Sequence, residues 1–198
     1  MLRKILPLAV IGLTLAMALG YGPDLLRLQT PGADAEWAEL EYGKEWAAYL
    51  APEQACPGGE SVDASVAEQQ VTVLCMLNWA RGQRGLAALQ TSPVLMQSTQ
   101  LKAADLARCD EFVHAPCGVA YDAGARSLGY QLPLGENIAW GTGPARAPRP
   151  TVDGWLHSPG HRKNLFRPQW REQGIGLLRV NRYLGEDDAA VWVSQFGG

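Results

Sequence analysis

Histidine is scarce in this chain of 198 residues, which has three, and phenylalanine is equally rare. No C-x-x-C pair is present, so the four cysteines do not follow a common zinc-site pattern. The G-x-S-x-G, H-E-x-x-H and glycine-rich phosphate-loop signatures are also absent. These absences argue against the familiar serine hydrolases, zinc proteases and phosphate-loop enzymes.

A basic patch or stripe is missing too. The first 20 residues contain Arg3 and Lys4 and no acidic residue, so the chain that follows has 15 basic against 20 acidic residues and a formal net charge of −5. Nucleic-acid-binding proteins concentrate Lys and Arg on one surface. We therefore expect no nucleic-acid partner.

The N-terminal 20 residues have the pattern of an export signal. Arg3 and Lys4 precede a mostly apolar stretch over residues 5–19, and small residues, Ala18 and Gly20, occupy the two positions that a signal peptidase reads. The stretch is short for a spanning helix, and a permanent anchor is the alternative interpretation. We predict a signal peptide over residues 1–20, a secreted or extracytoplasmic protein, and no stable membrane span after cleavage.

The four cysteines suit an oxidising compartment. In an exported chain they indicate two disulfides. Sequence order favours one pair between Cys56 and Cys75 and another between Cys109 and Cys117, although three connectivities are possible.

Hydrophobic periodicity predicts two long helices. The first starts at Val62 and ends near the glycines of "RGQRG", with Val66, Val73, Leu74 and Leu77 on one face. The second starts at Pro93 with Ser92 as its N-cap and ends near Cys109. The buried stripe of this second helix is predicted to consist of Leu95, Thr99, Ala103 and Leu106.

Shorter elements follow in the second half of the chain. Residues 121–128 and "TVDGWLHS", with Thr151 as its cap, are predicted as short helices, and Pro159-Gly160 suits the middle of a type II turn. "QGIGLLRVN" and "AAVWVSQFG" predict an antiparallel hairpin. Helices first and strands last favour an α+β fold with helices packed on an antiparallel sheet.

Residues 21–60 precede this pattern and are interpreted as an N-terminal extension. They contain "EWAELEYGKEWAAYL", which is predicted to form a short amphipathic helix.

Three polar residues are the candidates for a site. His114 and His161 lie in turn-rich loops, and Glu136 lies among apolar neighbours. If they converge, two imidazoles and a carboxylate could bind a metal ion or act as an acid and base near neutral pH. Each also has a structural interpretation: His114 as a loop residue beside a disulfide, Glu136 as an acceptor for backbone donors, and His161 as the residue after a turn.

Several segments resemble the CAP superfamily, which contains cysteine-rich secretory proteins, insect antigen 5 and plant pathogenesis-related class 1 proteins. They include "FVHAPCG", "LGYQLPLGENIAWG", "WLHSPGHRKNL" and "QGIGLLRV…VWVSQFG", and the likeness, to the bacterial SCP-like branch in particular, runs from about residue 71 to residue 198. The resemblance implies a CAP domain over residues 61–198 that folds as an α-β-α sandwich, with a central antiparallel sheet between helical layers.

The family's cavity contains two histidines and two acidic residues. The resemblance matches its first histidine to His114 and its first glutamate to Glu136. Its second histidine matches His161, because Gly160-His161 precedes Gly174-Ile175-Gly176 at the family's spacing. The second glutamate follows a tryptophan by three residues in the family, and here Ser158 stands at that distance from Trp155.

A cavity with one carboxylate has less charge to hold a cation. No cofactor is therefore assigned, although Zn²⁺ or another divalent cation bound by His114 and His161 stays open. The leading hypothesis is a secreted module that binds a small apolar ligand or a cell-surface partner without turnover, either in the cavity around His114, Glu136 and His161 or in an apolar groove between layers. The alternatives are a hydrolase of peptides, esters or cell-wall material that uses Glu136 or His161, and a structural envelope or adhesion protein.

Overall fold

The computed structural model describes residues 45–198. The predicted signal peptide and most of the predicted extension lie outside these residues. The described helices and strands are, in chain order, α1 Val66–Gly82, β1 Gln90–Thr91, α2 Pro93–Cys109, α3 Ala123–Ser127, β2 Leu134–Thr142, α4 Pro148–His157, α5 Pro159–Leu165, β3 Glu172–Tyr183 and β4 Glu186–Gly197. Short 3-10 turns occupy Pro116–Gly118 and Gly143–Arg146. Of the amphipathic helix predicted over residues 36–50, the structure describes residues 45–50, in which 45–47 are helical and 48–50 form a turn.

Helix α1 begins four residues later than the sequence pattern predicts. Ser65 and Glu68 form a capping box, in which each side chain accepts a hydrogen bond from the other residue's backbone N–H. This exchange satisfies amide groups that have no partner inside the helix, so it sets the start at Val66 rather than Val62. The predicted inner face is confirmed at Val73 and Leu77, which are fully buried.

Helix α2 has the predicted bounds. Pro93 occupies the first turn, where its missing N–H costs nothing, and the helix ends at Cys109. Ser92 stands at the N-cap position but its side chain makes no capping hydrogen bond. The predicted stripe is confirmed, since the following four residues are all completely buried: Leu95, Thr99, Ala103 and Leu106.

Two predictions for the segment after β2 are wrong. Helix α4 starts at Pro148, and Thr151 lies inside it with its hydroxyl donating to the carbonyl of Ala147. Pro159-Gly160 does not form a type II turn, because Pro159 opens helix α5. The fixed φ of proline suits the first position of a helix as well as it suits a turn, and the sequence alone did not separate the two.

The sheet has the strand order β1-β3-β4-β2. Strands β3 and β4 form the predicted antiparallel hairpin, and β2 pairs antiparallel with β4. The two-residue β1 runs parallel to β3 at the edge. Mixed helices around a mainly antiparallel sheet confirm the predicted α+β class.

Helices cover both faces of the sheet. On one face Trp192 packs in a core that contains Val73 and Leu77 of α1 and Val152 of α4. On the other face, Val191 packs with Leu106 of α2 and with other buried residues. Because neighbouring residues of a strand point to opposite faces, β4 contributes to both cores and the fold is an α-β-α sandwich.

Both predicted disulfides are present, between Cys56 and Cys75 and between Cys109 and Cys117. The first joins the segment before α1 to that helix, and Trp46 and Ala51 of the same segment are buried in the core with α1. The described end of the predicted extension therefore packs on the domain. Within residues 45–198 no helix has both the length and the apolar composition needed to cross a bilayer.

Candidate functional site

Glu136 is the centre of the polar cluster. It lies on β2 with its side chain 1% exposed, directly opposite Gln195 of β4 in the sheet register. Its Oε1 is 2.9 Å from His114 Nδ1, and its Oε2 accepts a hydrogen bond of 3.0 Å from Gln195 Nε2. Both carboxylate oxygens are therefore engaged, which offsets the cost of burying the charge.

Lys102 is the second charge of the cluster. It belongs to α2, its side chain is 5% exposed, and its Nζ is 3.6 Å from Glu136 Oε1. Burial lowers the pKa of Lys102, and the opposite charge of Glu136 acts against that shift. Lys102 also donates to the carbonyl of His114, so α2 contacts both members of the histidine–glutamate pair.

His114 lies on the loop after α2, as predicted. The Cys109–Cys117 disulfide closes this loop around it, and the bond from Lys102 fixes its backbone. Its side chain is 55% exposed and presents Nδ1 to Glu136. His114 and Glu136 both line a cleft of about 340 Å³, together with Tyr121 and Asn164.

His161 lies in the first turn of α5 and faces a different cleft. Burial, together with the nearby His114, lowers the pKa of His161, so the imidazole is neutral at pH 7. Its Nδ1 is buried and has no hydrogen-bond partner among the described residues. The structure thus brings His114 and Glu136 into contact and places His161 close enough to His114 to affect its charge.

Two asparagines hold α5 against β2. Asn164 Nδ2 donates to the carbonyl of Glu136 at 2.9 Å and to Asn137 Oδ1 at 3.0 Å. Asn137 Nδ2 in turn donates to the carbonyl of His161 at 3.2 Å. This bridge positions His161 beside the strand that carries Glu136.

Sequence reasoning missed four members of the cluster. Three of them, Asn137, Asn164 and Gln195, lie inside the motifs that carry the family resemblance. Their spacing along the chain is not typical of any kind of site, so the sequence did not single them out. Lys102 follows Thr99 by three residues and therefore lies on the buried stripe of α2. A lysine on an apolar helix face could have indicated a buried ion pair.

The cleft beside His161, which we call the His161 cleft, is largely apolar and has a volume of about 290 Å³. Its lining residues are Phe112, Ile138, Ala139, Trp140, Ala145, Pro150, Thr151, Gly154, Trp155, Ser158 and His161. Trp155 is fixed by a hydrogen bond from its indole N–H to the carbonyl of Ile138. Ser158 adds a hydroxyl to this lining.

The residues present do not make a suitable site for a resident cation. Among the described residues no group of three or more His, Cys, Asp or Glu side chains could hold a metal ion. The oxygens of Glu136 already accept from His114 and Gln195. The zinc site predicted at His114 and His161 stays a prediction.

The chain is similar in sequence to a curated bacterial protein. A curated Bacillus subtilis protein, the uncharacterised protein YkwD, is 30% identical over 141 residues, which is 70% of this chain and 50% of that protein. The chain thus spans half the length of the curated relative that it matches.

Solved structures share the fold at low identity. An outer surface protein from Borrelia burgdorferi has a TM-score of 0.56 and 20% identity, covering 68% of this chain and 95% of that one. An extracellular protein containing an SCP domain from Bacillus anthracis has a TM-score of 0.53 and 19% identity, covering 69% of this chain and 45% of that one. Residues 74–196, more than half of the chain, match the CAP family, described as the cysteine-rich secretory protein family. This chain therefore belongs to the CAP family.

Proposed function

We propose that this protein is an exported binding module that holds a small, mainly apolar ligand in the His161 cleft. One observation carries the proposal: the imidazole of His161, whose pKa is lowered by burial and by the nearby His114, stands in the wall of a largely apolar cleft of about 290 Å³. A neutral imidazole in such a wall can exchange a hydrogen bond with a ligand without placing a charge among apolar side chains.

The chemistry of the cleft defines the ligand class. Trp140, Trp155 and Ile138 offer apolar and aromatic surface, while His161 and Ser158 offer polar atoms. Small-molecule pockets combine mostly apolar walls with a few polar groups that fix orientation. The expected ligand has an apolar ring or chain with one hydroxyl or acid group, whose proton a neutral imidazole can accept.

The contacts of the cluster favour binding over turnover. A general base needs a free lone pair directed at substrate, and donors already occupy both oxygens of Glu136. A catalytic histidine is normally oriented by a second polar group, whereas the described residues give His161 Nδ1 no partner. Glu136 instead orients His114, which supports the wall of the neighbouring cleft.

The test uses 2-naphthol, a fluorescent probe with an aromatic body and one hydroxyl. Binding is expected to change its fluorescence. His161→Phe, which keeps the ring and removes the acceptor, is expected to weaken binding about tenfold, the loss of roughly one hydrogen bond. Gly154→Leu is expected to abolish binding, because Gly154 lines the cleft and an added Cβ would meet nothing within 4 Å, so the leucine is accommodated and fills cleft volume.

Gly160→Leu is the matched control. Gly160 also has open space around it, but it does not line the His161 cleft, so its variant is expected to bind 2-naphthol normally. Failure of the unmodified protein to bind, or equal binding by Gly154→Leu, would contradict the proposal. The acetate ester of the same probe tests the hydrolase alternative, since turnover that is lost in Glu136→Gln or His161→Phe would favour an enzyme.

A further inference from the structure

A further concave site, which we call the Arg84 pocket, shares no lining residue with the two clefts described above. It has a volume of about 400 Å³ between the end of α1, helix α5 and the segment that leads to β3. The lining residues that matter are Trp46, Arg84, Arg162, Lys163, Phe166 and Arg167. Four of its lining side chains are cationic, and none of the described lining residues is acidic.

The guanidinium of Arg84 is held by stacking. Its Cζ lies 4.2 Å from the ring centroid of Phe166 and 5.1 Å from those of Trp46 and Tyr49. Stacked guanidinium groups keep their in-plane N–H donors available for an oxyanion. No described residue accepts a hydrogen bond from the Arg84 side chain, and the residue is exposed.

The remaining cations surround the same space. Arg162 is 7% exposed, stacks 4.1 Å from the Trp46 centroid, and donates to the carbonyl of Leu156. Arg167 stacks 5.0 Å from the Trp170 centroid, and Lys163 is exposed on α5. Neither Lys163 nor Arg167 forms an ion pair with an acidic residue in the described part of the chain.

Several arginines elsewhere on the surface are paired. Arg108, Arg126, Arg146, Arg149 and Arg182 each form an ion pair with an aspartate or glutamate. The whole chain has more acidic than basic residues, so carboxylates are not scarce. Arg171 and Arg179 are likewise exposed without an ion pair among residues 45–198, so the pocket is distinguished by gathering Arg84, Lys163 and Arg167 around one concavity.

Buried contacts preform this pocket. Arg81, which is completely buried, donates to the carbonyls of Leu165 at 2.8 Å and Arg167 at 3.1 Å. These bonds tie the last turns of α1 to the segment that carries Arg167. Arg84 and Arg167 are thus presented by backbone that is fixed before any ligand arrives, which lowers the entropic cost of binding.

We infer that the Arg84 pocket binds a soluble ligand that carries a phosphate ester. Phosphate offers up to two negative charges and several acceptor oxygens, and it matches the planar fork of a stacked arginine better than a single carboxylate does. A soluble ligand is favoured over a membrane surface because the site is concave and its aromatic rings are covered by Arg84 and Arg162, which leaves them unable to insert into a bilayer.

The experiment titrates tripolyphosphate into the purified exported chain by calorimetry at 50 and 200 mM NaCl. We expect binding that weakens as salt rises, because the contacts are between charges. Arg84→Gln and Arg167→Gln are each expected to weaken it about tenfold, one charge-assisted hydrogen bond apiece. Arg84→Lys, which keeps the charge without the fork, should fall between the unmodified protein and Arg84→Gln.

Arg182→Gln is the matched control, since Arg182 is exposed and pairs with Asp187 outside the pocket. The affinity of Arg182→Gln for tripolyphosphate should equal that of the unmodified protein. No binding at 50 mM NaCl, or equal losses in the control and the pocket variants, would overturn the inference. Melting temperatures of all variants separate loss of binding from loss of folding.

A second arm uses vesicles of phosphatidylglycerol and phosphatidylcholine. Sedimentation with these vesicles that is lost in Arg84→Gln, without binding of tripolyphosphate, would overturn the assignment to a soluble ligand. Binding of tripolyphosphate without sedimentation would support it.

Discussion

Glu136 and Lys102 form an ion pair whose side chains are both almost completely buried. Removing one partner of a buried pair leaves the other charge without compensation. Glu136→Gln keeps the shape of the side chain and leaves the ammonium of Lys102 unpaired. We expect a loss of about 3 kcal/mol in the free energy of unfolding, measured by urea denaturation.

The matched double variant tests the cause of that loss. Lys102→Met combined with Glu136→Gln removes both charges and should recover part of the stability, so the two changes are not additive. Asp187→Asn, in an exposed pair with Arg182, should cost less than about 1 kcal/mol. Additive losses at Glu136 and Lys102 would show that the pair is not coupled.

The lowered pKa of His161 makes stability depend on pH. The native state resists protonation because the ring is buried and His114 is near, whereas the unfolded chain binds a proton near the ordinary pKa of 6.5. The contribution of His161 to the free energy of unfolding is therefore fully present above pH 6.5. It decreases as the pH falls from 6.5 toward the lower pKa of the native state. Melting temperature measured from about pH 7.5 to 5 should decline less in His161→Gln than in the unmodified protein.

A His161→Gln variant whose melting temperature declines as steeply as that of the unmodified protein would contradict this role of His161.

Zinc binding tests the two imidazoles directly. The carboxylate of Glu136 is already engaged and Ser158 carries no charge, so we expect Zn²⁺ to bind weakly, with Kd above about 100 μM by calorimetry, since tight sites use three or four protein ligands. Micromolar binding that disappears in His114→Ala and in His161→Ala would instead confirm the zinc site predicted from the sequence.

At the scale of elements, α2 approaches β3 so closely that glycine is required. A Cβ on Gly176 would lie 2.5 Å from the carbonyl oxygen of Thr99, and one on Gly174 would collide with the backbone of Leu95. Backbone atoms in a packed helix cannot move aside cheaply. Gly176→Ala should therefore lower the free energy of unfolding by about 3 kcal/mol, as overpacking does.

Gly160→Ala is the comparison for this prediction. Gly160 lies in α5, and a Cβ added there would meet nothing within 4 Å, so the change should be neutral or stabilise by up to about 1 kcal/mol. Thermal unfolding of both variants distinguishes them. A tolerated Gly176→Ala would mean that α2 can shift relative to the sheet.

The elements differ in how well local sequence predicts them. The apolar stripe and Pro93 both predict the same helix α2, and its bounds and its buried face are confirmed. Helix α5 has seven residues, too few for a stripe, and its start was predicted as a turn. Its position depends on the bonds from Asn164 to β2, which are contacts between segments 27 or 28 residues apart.

At the scale of the whole molecule, two disulfides join segments that the fold brings together. Cys56–Cys75 links residues 19 apart in sequence, and Cys109–Cys117 links residues 8 apart. Chain entropy predicts that loss of the longer bridge costs about 3 kcal/mol and of the shorter one slightly less. Urea denaturation of the variants Cys56→Ser/Cys75→Ser and Cys109→Ser/Cys117→Ser measures each bridge.

Intact mass of the exported chain checks the same prediction without mutation. Alkylation should add no label before reduction and four labels after it, one for each cysteine. The same spectrum shows whether residues 1–20 have been removed. Free thiols before reduction would contradict the pairing, and an uncleaved mass would favour the N-terminal anchor.

The amino-acid sequence by itself determined the α+β class, the hairpin of the last two strands and the family, because these depend on local periodicity and on motifs in a fixed order. It also favoured the cysteine pairing that the structure contains, and the candidate site residues His114 and Glu136 do meet. Only the tertiary structure decided that Lys102 and Gln195 share Glu136, that His161 faces a separate apolar cleft, and that Arg84 is stacked in a cationic pocket. Such arrangements depend on contacts between residues far apart in sequence, whose distances no spacing along the chain specifies.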